Sequence, residues 1–299
     1  MSTAASPRDV VAELRARARA GEIEQIRHPR VTIGGLSSNA LLALLGAAFF
    51  LPLIWVLFAS LDANAGAGVR IPDLSLVHYR AMGHESRLRP LYNSFYLAGI
   101  STLISTLTGL FAGYALSRRH IPFKRTLMLI VLFMSGLPVT MLLVPTYQMF
   151  VRLNWIDSLW WTSMFIAASS LPFTIWLLKN FIDQVPRELE EAAAIEGTRN
   201  FEIVVRVVVP LALPGILVTS LVAFINAWGA FVIPLVLNSN PNDTPGSIAI
   251  YQFLTENGQI HFGDLAAYSI LFAVPVVVLY LIASRRISGA FTFAGGIKQ

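Results

Sequence analysis

The chain has 299 residues, of which 55% are hydrophobic and 13% are charged, and its mean hydropathy is +0.64. This composition is too apolar for a soluble domain of such length, so the chain is predicted to lie in a lipid bilayer. The net charge of +5 does not indicate nucleic-acid binding, because the basic residues flank the apolar runs as in membrane proteins. The lack of cysteine excludes disulfides and thiolate metal sites.

Six long runs of the sequence contain no Asp, Glu, Lys or Arg. Each is at least as long as the roughly 20 residues that a membrane-spanning helix requires. Together they predict an all-α membrane protein with six transmembrane helices, near residues 38–60, 91–117, 126–151, 158–178, 211–237 and 265–284. These helices form one predicted domain over residues 36–286, between terminal tails at 1–35 and 287–299.

The basic residues predict the orientation of this domain. With six spans, most of the 22 Lys and Arg residues fall on the side that holds the N-terminus. The other side has only Arg70, Arg80, Arg87, Arg89 and Arg152. Because Lys and Arg concentrate in cytoplasmic loops, this bias predicts that both termini are cytoplasmic.

A charged segment, residues 186–209, separates the fourth and fifth apolar runs and reads as two short cytoplasmic helices. Pro186 fits the first helical position, and Gly197 is well placed to end the first helix. Thr198 could then cap a second helix that runs towards Pro210. Glutamates fill the first turns, where the helix dipole favours negative charge.

Within this segment, the residues Glu191-Ala192-Ala193, then Gly197, then Leu-Ala-Leu-Pro214 resemble the EAA loop of permease subunits in binding-protein-dependent ABC importers. The resemblance is strongest to the carbohydrate branch, the MalG-like permeases, and extends more weakly from about Leu74 to the C-terminus. It implies the type I ABC importer permease fold.

In that family the EAA loop is the coupling helix, which sits in a cleft of the cytoplasmic ATPase subunit. The resemblance therefore assigns contact with an ATPase to Glu190, Glu191, Ala192, Ala193, Glu196, Gly197 and Pro214. Glu191 is the preferred partner for an arginine of the ATPase. A solvated surface helix is the alternative explanation for the segment taken alone.

The resemblance also implies a set of partners in a bacterial inner membrane. They are a second homologous permease subunit, an ABC ATPase dimer and an extracytoplasmic solute-binding protein or lipoprotein. ATP and Mg would be bound by the ATPase subunits, and this chain would hold no cofactor or metal. In keeping with this, the sequence contains no Gly-x-x-x-x-Gly-Lys-Ser/Thr loop for nucleotide phosphates, and no enzymatic activity is expected of the chain itself.

Candidate residues for a carbohydrate path lie in the second and fifth spans: Ser101, Ser105, Asn226 and Trp228. Helix packing is the favoured explanation for the serines, because small polar residues join helices within membranes, and a polar path is the alternative. Many relatives carry a Trp-Asn-acidic-Phe sequence near this place, and Gly229 and Ala230 occupy its two polar positions here. The solute is expected to be a di- or oligosaccharide.

The segment after the fifth span is rich in Pro, Gly and Asn and has no Lys or Arg. In maltose-type permeases the corresponding loop reaches into the sugar-binding protein. By resemblance, the contact residues would be Asn240, Pro241, Asn242, Pro245 and Gly246, and an ordinary solvated loop is the alternative.

Two other functional classes are weighed. A secondary transporter or channel that works alone is disfavoured, because ion-driven transporters keep ionisable groups within the membrane and these apolar runs have no acid, lysine or arginine. A membrane enzyme is disfavoured because no catalytic residue can be named, and His84-Glu85 stands alone in a predicted exterior loop.

Overall fold

The computed structural model describes residues 33–66, 68, 71–255 and 260–295, and these residues are almost entirely helical. The helices are α1 (Ile33–Leu61), α2 (Val77–Met82), α3 (Glu85–Arg118), α4 (Lys124–Ser135), α5 (Leu143–Leu153), α6 (Leu159–Asp183), α7 (Arg187–Ile195), α8 (Asn200–Ile203), α9 (Val209–Trp228), α10 (Val232–Leu237), α11 (Gly246–Thr255) and α12 (Phe262–Gly295). Short 3-10 turns cover Val139–Leu142 and Pro241–Asp243, and a π-helical turn covers Val204–Val208. The predicted tails at 1–35 and 287–299 lie largely outside the residues whose side chains are described.

Five of these helical segments are long and apolar enough to cross a membrane, namely Asn39–Leu61, Glu85–Arg118, Leu159–Asp183, Asn200–Trp228 and Phe262–Arg286. A sixth candidate is a broken pair, Lys124–Ser135 with Val139–Leu153, whose two halves meet at 88°. The predicted number of six spans is therefore confirmed if the broken pair counts as one. The break falls at Gly136 and Pro138, because proline lacks an N–H and restricts the residue before it.

The fifth span begins and ends earlier than the predicted 211–237. The helical run covers Asn200–Trp228, and residues Val232–Leu237 form a separate helix. Pro210 was expected to end the second short helix, but the chain continues through it. The π-helical turn at Val204–Val208 immediately precedes it, and such a turn shifts the hydrogen-bond register where a proline cannot donate.

The chain divides into two compact units, residues up to Ile54 and residues from Trp55 onwards. Within the second unit, α3 packs along α6, and α9 lies against both. Glycines permit this close approach: a Cβ on Gly109 would lie 2.6 Å from Cγ2 of Thr174, and one on Gly113 would lie 3.0 Å from the backbone nitrogen of Lys179. Small residues bring membrane helices together in this way.

The second unit has two ends that differ in chemistry. The end that carries α7, here called the α7 end, contains the last residues of α3 and α6, since Arg118 bonds both to Glu190 of α7 and to the Ile182 carbonyl of α6. The opposite end, here called the distal end, contains the first residues of α3 and α12, since Arg87 bonds to Asp264.

We expect Gly215→Ala to destabilise the protein. A Cβ at Gly215 would lie 2.1 Å from Cγ of Phe181, so the ring must move, and overpacking of this kind typically costs about 1–3 kcal/mol. The measurement is thermal unfolding in detergent. Gly99→Ala is the matched control, because Gly99 lies in a span with nothing within 4 Å of its Cβ position. Equal stability of the two variants would contradict the close packing of α9 on α6.

Candidate functional site

The segment 186–209 forms two short helices separated by a turn at Gly197. Helix α7 ends at Ile195, and Gly197 adopts φ +85°, which lies in the left-handed region that glycine favours. The Thr198 N–H donates to the Ala193 carbonyl at 3.1 Å and thereby closes the turn. The next helix is capped by Arg199 rather than by Thr198, because the extended residue that precedes the helix is Arg199. Pro186 likewise precedes the first helical residue instead of occupying it.

The two neighbouring acids of α7 differ in burial. Glu190 is the only residue of α7 that is buried, whereas Glu191 is exposed. Glu190 Oε1 accepts a hydrogen bond from Arg118 Nε at 2.6 Å, and its Oε2 accepts one from the Tyr114 hydroxyl at 3.0 Å. The sequence assigned Glu190 to contact with a partner protein, and this assignment is corrected: its carboxylate is occupied within the chain. Adjacent helical positions point about 100° apart, so one of two consecutive acids turns inward.

Arg118 joins three helix ends. Its Nη2 donates to the carbonyls of Ile182 at 3.0 Å and Val185 at 2.8 Å, at the end of α6. Its Nη1 donates to Ser117 Oγ at 3.0 Å. The side chains of Arg118 and Glu190 are only 9% and 11% exposed. We call the residues Tyr114, Arg118 and Glu190 the clasp, because they hold α7 against α3 and α6.

A second layer of polar contacts surrounds the clasp. Ser117 Oγ donates to Asp183 Oδ1 at 2.5 Å, and Asp183 forms an ion pair with Lys179. Arg187 at the start of α7 donates to the Ser117 carbonyl at 3.1 Å. The helix ends at the α7 end are therefore tied by charged hydrogen bonds, which are roughly twice as strong as neutral ones.

The remaining surface of the two short helices is open. Ile195 is 88% exposed and Phe201 is 65% exposed. Exposed residues also include Leu189, Glu191, Ala192, Glu196 and Gly197, and Ala193 is half-buried. Pro214 does not join this surface, because it lies half-buried within α9. Large apolar side chains left in the open beside acidic ones are typical of a surface that another protein covers.

A cavity of about 560 Å³ lies where two helices break. Residues on both sides of the break after α4 and of the break after α9 line it, together with part of α6. The polar lining residues are Ser135, Thr140, Ser169, Ser170, Thr174 and Asn226. Every other lining side chain is apolar, so the wall combines hydrophobic surface with neutral hydrogen-bonding groups. Such a lining suits an uncharged polar solute.

Of the four residues predicted to line a path, only Asn226 borders this cavity. Ser101 is buried and donates to the Ser163 carbonyl at 2.9 Å, so it joins α3 to α6. Ser105 is buried and donates to the Thr102 carbonyl in its own helix at 3.2 Å. Trp228 is also buried, and its Nε1 donates to the Phe272 carbonyl at 3.0 Å. These three residues serve helix packing in this conformation.

The distal loop that was predicted to contact a binding protein is folded against the chain. Asn240 N donates to Asp157 Oδ1 at 2.9 Å, and Asn93 Nδ2 donates to the Asn242 carbonyl at 2.8 Å. Pro241 and Asn242 are exposed, and Asn240 is partly so.

Pro245 and Gly246 are both buried, which corrects their assignment as contact residues. Gly246 N donates to the buried Ser94 hydroxyl at 2.8 Å, and a Cβ at this position would lie 2.9 Å from the Phe272 ring. The glycine is thus required by packing of the loop on α3 and α12.

Sequence reasoning missed the charged groups that organise each end. At the α7 end these groups are Tyr114 and Arg118. At the distal end the Asp264 carboxylate pairs with His78 Nδ1 and Arg87 Nη1, each at 2.7 Å. Both arginines stand at the edges of apolar runs, where a basic residue is ordinarily read only as an orientation signal. Their carboxylate partners are distant in sequence, so no local pattern links them.

Comparison with known proteins gives consistent matches. A protein-family model described as "Binding-protein-dependent transport system inner membrane component" matches residues 105–288. The chain is 33% identical to the sulfoquinovosyl glycerol transport system permease protein SmoH of Agrobacterium fabrum, over 83% of this chain and 88% of the relative. It is 29% identical to the trehalose transport system permease protein SugB of Mycobacterium tuberculosis, over 83% of this chain and 92% of the relative.

Among solved structures, a similar fold occurs in a bacterial ABC transporter involved in the import of the acidic polysaccharide alginate. The TM-score is 0.73 at 19% sequence identity, and the match covers 85% of this chain and 96% of the other. At this identity the likeness concerns the fold alone.

Gly197→Val is expected to strain the turn between α7 and α8. Nothing lies within 4 Å of the Cβ position, so the cost comes from the backbone at φ +85° and is on the order of 1–3 kcal/mol for a β-branched residue. The measurement is the rate of tryptic cleavage at Arg187 and Arg199, which should rise. Gly197→Asn is the control, because Asn tolerates this conformation. If both variants are cleaved at the same rate, the turn does not depend on a left-handed residue.

Proposed function

Because the chain belongs to the family of binding-protein-dependent transport system inner membrane components, we propose that it works with a second homologous permease, an ABC ATPase dimer and an extracytoplasmic solute-binding protein. The chain is a multi-pass membrane permease subunit of an ABC importer. In the proposed assembly both termini and α7 face the cytoplasm, as the distribution of basic residues favours. ATP and Mg bind to the ATPase subunits, and this chain supplies part of the solute path.

The observation that carries the proposed assembly is the exposed surface of α7 and α8. Short helices beside a membrane do not normally leave side chains such as Ile195 and Leu189 of α7, 88% and 46% exposed, in water, because exposed apolar area of this kind is costly. A cleft in the ATPase would cover these side chains and pair with Glu191. Ala192 and Ala193 would allow its backbone to approach closely.

A carbohydrate is the proposed solute. Two relatives are named for the transport of sulfoquinovosyl glycerol and trehalose. The cavity supports the same class, because its hydroxyl and amide groups can exchange hydrogen bonds with sugar hydroxyls while the apolar wall covers the ring faces. Asn226 is the polar residue of α9 in that wall.

The mechanism proposed is alternating access driven from the cytoplasmic side. ATP draws the two ATPase subunits together, the docked α7 helices move with them, and the cavity changes from inward-facing to outward-facing. The loaded binding protein favours the outward state, so it stimulates hydrolysis. Each ligand must therefore bind the two states with different affinity. Asn240, Pro241 and Asn242 are the distal residues proposed to meet the binding protein, since Pro241 and Asn242 are exposed.

The test is uptake of radiolabelled disaccharides and oligosaccharides into proteoliposomes that contain the complete complex. Uptake should require the ATPase, ATP and the binding protein. Uptake that persists without the ATPase would instead indicate a secondary transporter or channel working alone.

In the same assay, Glu191→Lys should abolish uptake through loss of the ATPase from the purified complex. Removing one member of a buried charge pair at an interface costs about 2–5 kcal/mol, and reversing its sign costs at least as much. Glu188→Lys is the matched control, because Glu188 is an exposed acid at the start of the same helix. Wild-type uptake by Glu191→Lys would contradict its proposed role.

Asn226→Leu should lower uptake at unchanged ATPase association. The substitution keeps the approximate volume of the side chain but removes a hydrogen-bonding group from the cavity, and a lost bond to a sugar hydroxyl typically costs about 1–3 kcal/mol. The measurement is the half-saturating sugar concentration and the maximal rate of uptake. Ile225→Leu, at a neighbouring position that does not line the cavity, should behave as wild type. An unaltered Asn226→Leu would remove this residue from the path.

A further inference from the structure

We propose that the clasp makes α7 move as one body with the ends of α3 and α6. Glu190 is then a positioning residue through which movement of the ATPase is transmitted to the membrane helices. This inference rests on the proposed function, because it assumes that an ATPase moves α7. It assigns different roles to two neighbouring acids. Glu191 contacts the ATPase, and Glu190 fixes α7 to the membrane helices.

The burial pattern of α7 supports this division. Glu190 is the only buried residue of the helix, so α7 has no apolar side chain of its own sunk into the membrane domain. A helix that only needed to rest on its neighbours would bury leucine or alanine there. A buried carboxylate is instead useful for fixing one orientation, because its bonds are directional.

The geometry of Arg118 makes the connection rigid. One guanidinium bonds Glu190 of α7 through Nε and the Ile182 and Val185 carbonyls through Nη2. Arginine presents its donors in a fixed planar fork, so rotation of α7 about its axis must either break the bond to Glu190 or pull the guanidinium away from the α6 carbonyls. Tyr114, one turn earlier on α3, holds the second oxygen of the same carboxylate.

The covalent links alone would leave α7 free to swivel. Only Gln184, Val185 and Pro186 connect α6 to α7, and the turn around Gly197 connects α7 to α8. The one other side-chain bond from α7 to the membrane helices that the described residues provide is the Arg187 donation to the Ser117 carbonyl. Two of the three such contacts therefore pass through Glu190.

From the clasp, a continuous helix leads to the cavity. Helix α6 carries the Ile182 carbonyl at one end of this path, and Ser169, Ser170 and Thr174 of the same helix line the cavity. Helix α3 moves with it, because Gly109 and Gly113 bring the two backbones together at Thr174 and Lys179. A displacement of α7 is thereby delivered through packed helices to the cavity wall, first at Thr174, which the path from the clasp reaches before Pro172.

The experiment uses the complete complex with a Glu190→Gln substitution, which preserves size and loses charge. The chain has no cysteine, so cysteines introduced at Ala194 and His120 accept spin labels at two chosen exposed sites, one on α7 and one just past the end of α3. The distribution of distances between the labels reports whether α7 is fixed to α3. In parallel, a cysteine at Ser170 reports motion at the cavity through its rate of reaction with a membrane-impermeant maleimide, with and without ATP and vanadate. The partner subunits carry no cysteines in this assay.

In wild type and in the control Glu188→Gln, we expect a narrow distance distribution and a labelling rate that changes on addition of ATP and vanadate. In Glu190→Gln the complex should assemble and hydrolyse ATP, because the surface around Glu191 is intact. Its distance distribution should be broad, and its nucleotide-dependent change in labelling should fall by roughly fivefold or more. Tyr114→Phe, which keeps the charge pair and loses one hydrogen bond, should show an intermediate loss.

A narrow distribution and a wild-type labelling response in Glu190→Gln would overturn the proposal. It would also be overturned if Glu190→Gln only reduced the yield of complex, while the assembled fraction, isolated through a tag on the ATPase, responded as wild type does. If Glu190→Gln fails to assemble, Tyr114→Phe decides between the same two outcomes. If the labelling rate of the wild-type complex did not change on addition of ATP and vanadate, the proposed function would be refuted instead. The distances between the spin labels need no nucleotide, so they would still test whether the clasp fixes α7.

Discussion

The structure depends on one guanidinium at a point where three helices end. The last turns of α3 and α6 leave backbone carbonyls without helical partners, and such groups must find donors near a membrane surface. Arg118 donates to the carbonyl of Ile182, in the last turn of α6, and to that of Val185, just past its end, and its other N–H groups bond Glu190 and Ser117. Because the charge of Glu190 balances that of Arg118, the cluster can be buried, and removing either partner would leave an uncompensated charge.

Helix α3 is anchored by an arginine at each end. Arg87 pairs with Asp264 at the distal end, and Arg118 pairs with Glu190 at the α7 end. At 1.5 Å per residue the two arginines are about 45 Å apart along the helix, which exceeds the thickness of the hydrocarbon core. The distal pair is more exposed, with Arg87 at 33% against 9% for Arg118, so solvent screens it more strongly. The α7 end is therefore the firmer attachment.

Much of the fold could be predicted from the sequence, because it depends on local composition. Apolar runs give the spans, Gly136 and Pro138 mark the break in the third, and Gly197 marks the turn between the short helices. The rotational setting of α7 could not be predicted, because it is decided by Arg118, 72 residues away in sequence from Glu190. The same limit applied to Ser101 and Asn226: a polar residue in a span either packs or lines a cavity according to which helices surround it. Pro245 and Gly246 were predicted to contact a binding protein, because turn residues look alike in sequence whether they are exposed or buried against a neighbour.

In the proposed mechanism, the distribution of charge favours a movement that begins at the ends of the helices. The cavity wall is made of apolar and neutral polar side chains, whereas the ion pairs stand at the α7 end and at the distal end. A neutral wall can form many weak, exchangeable hydrogen bonds with a sugar. No single position in it binds the sugar tightly. The wall also contains no group whose charge could change to reshape it, so a change of access must be imposed by moving the helices that form it. Helix α6 is suited to that purpose, since its end is held in the clasp while its middle borders the cavity. The breaks after α4 and α9 border this same cavity, whereas α6 runs along it as one helix.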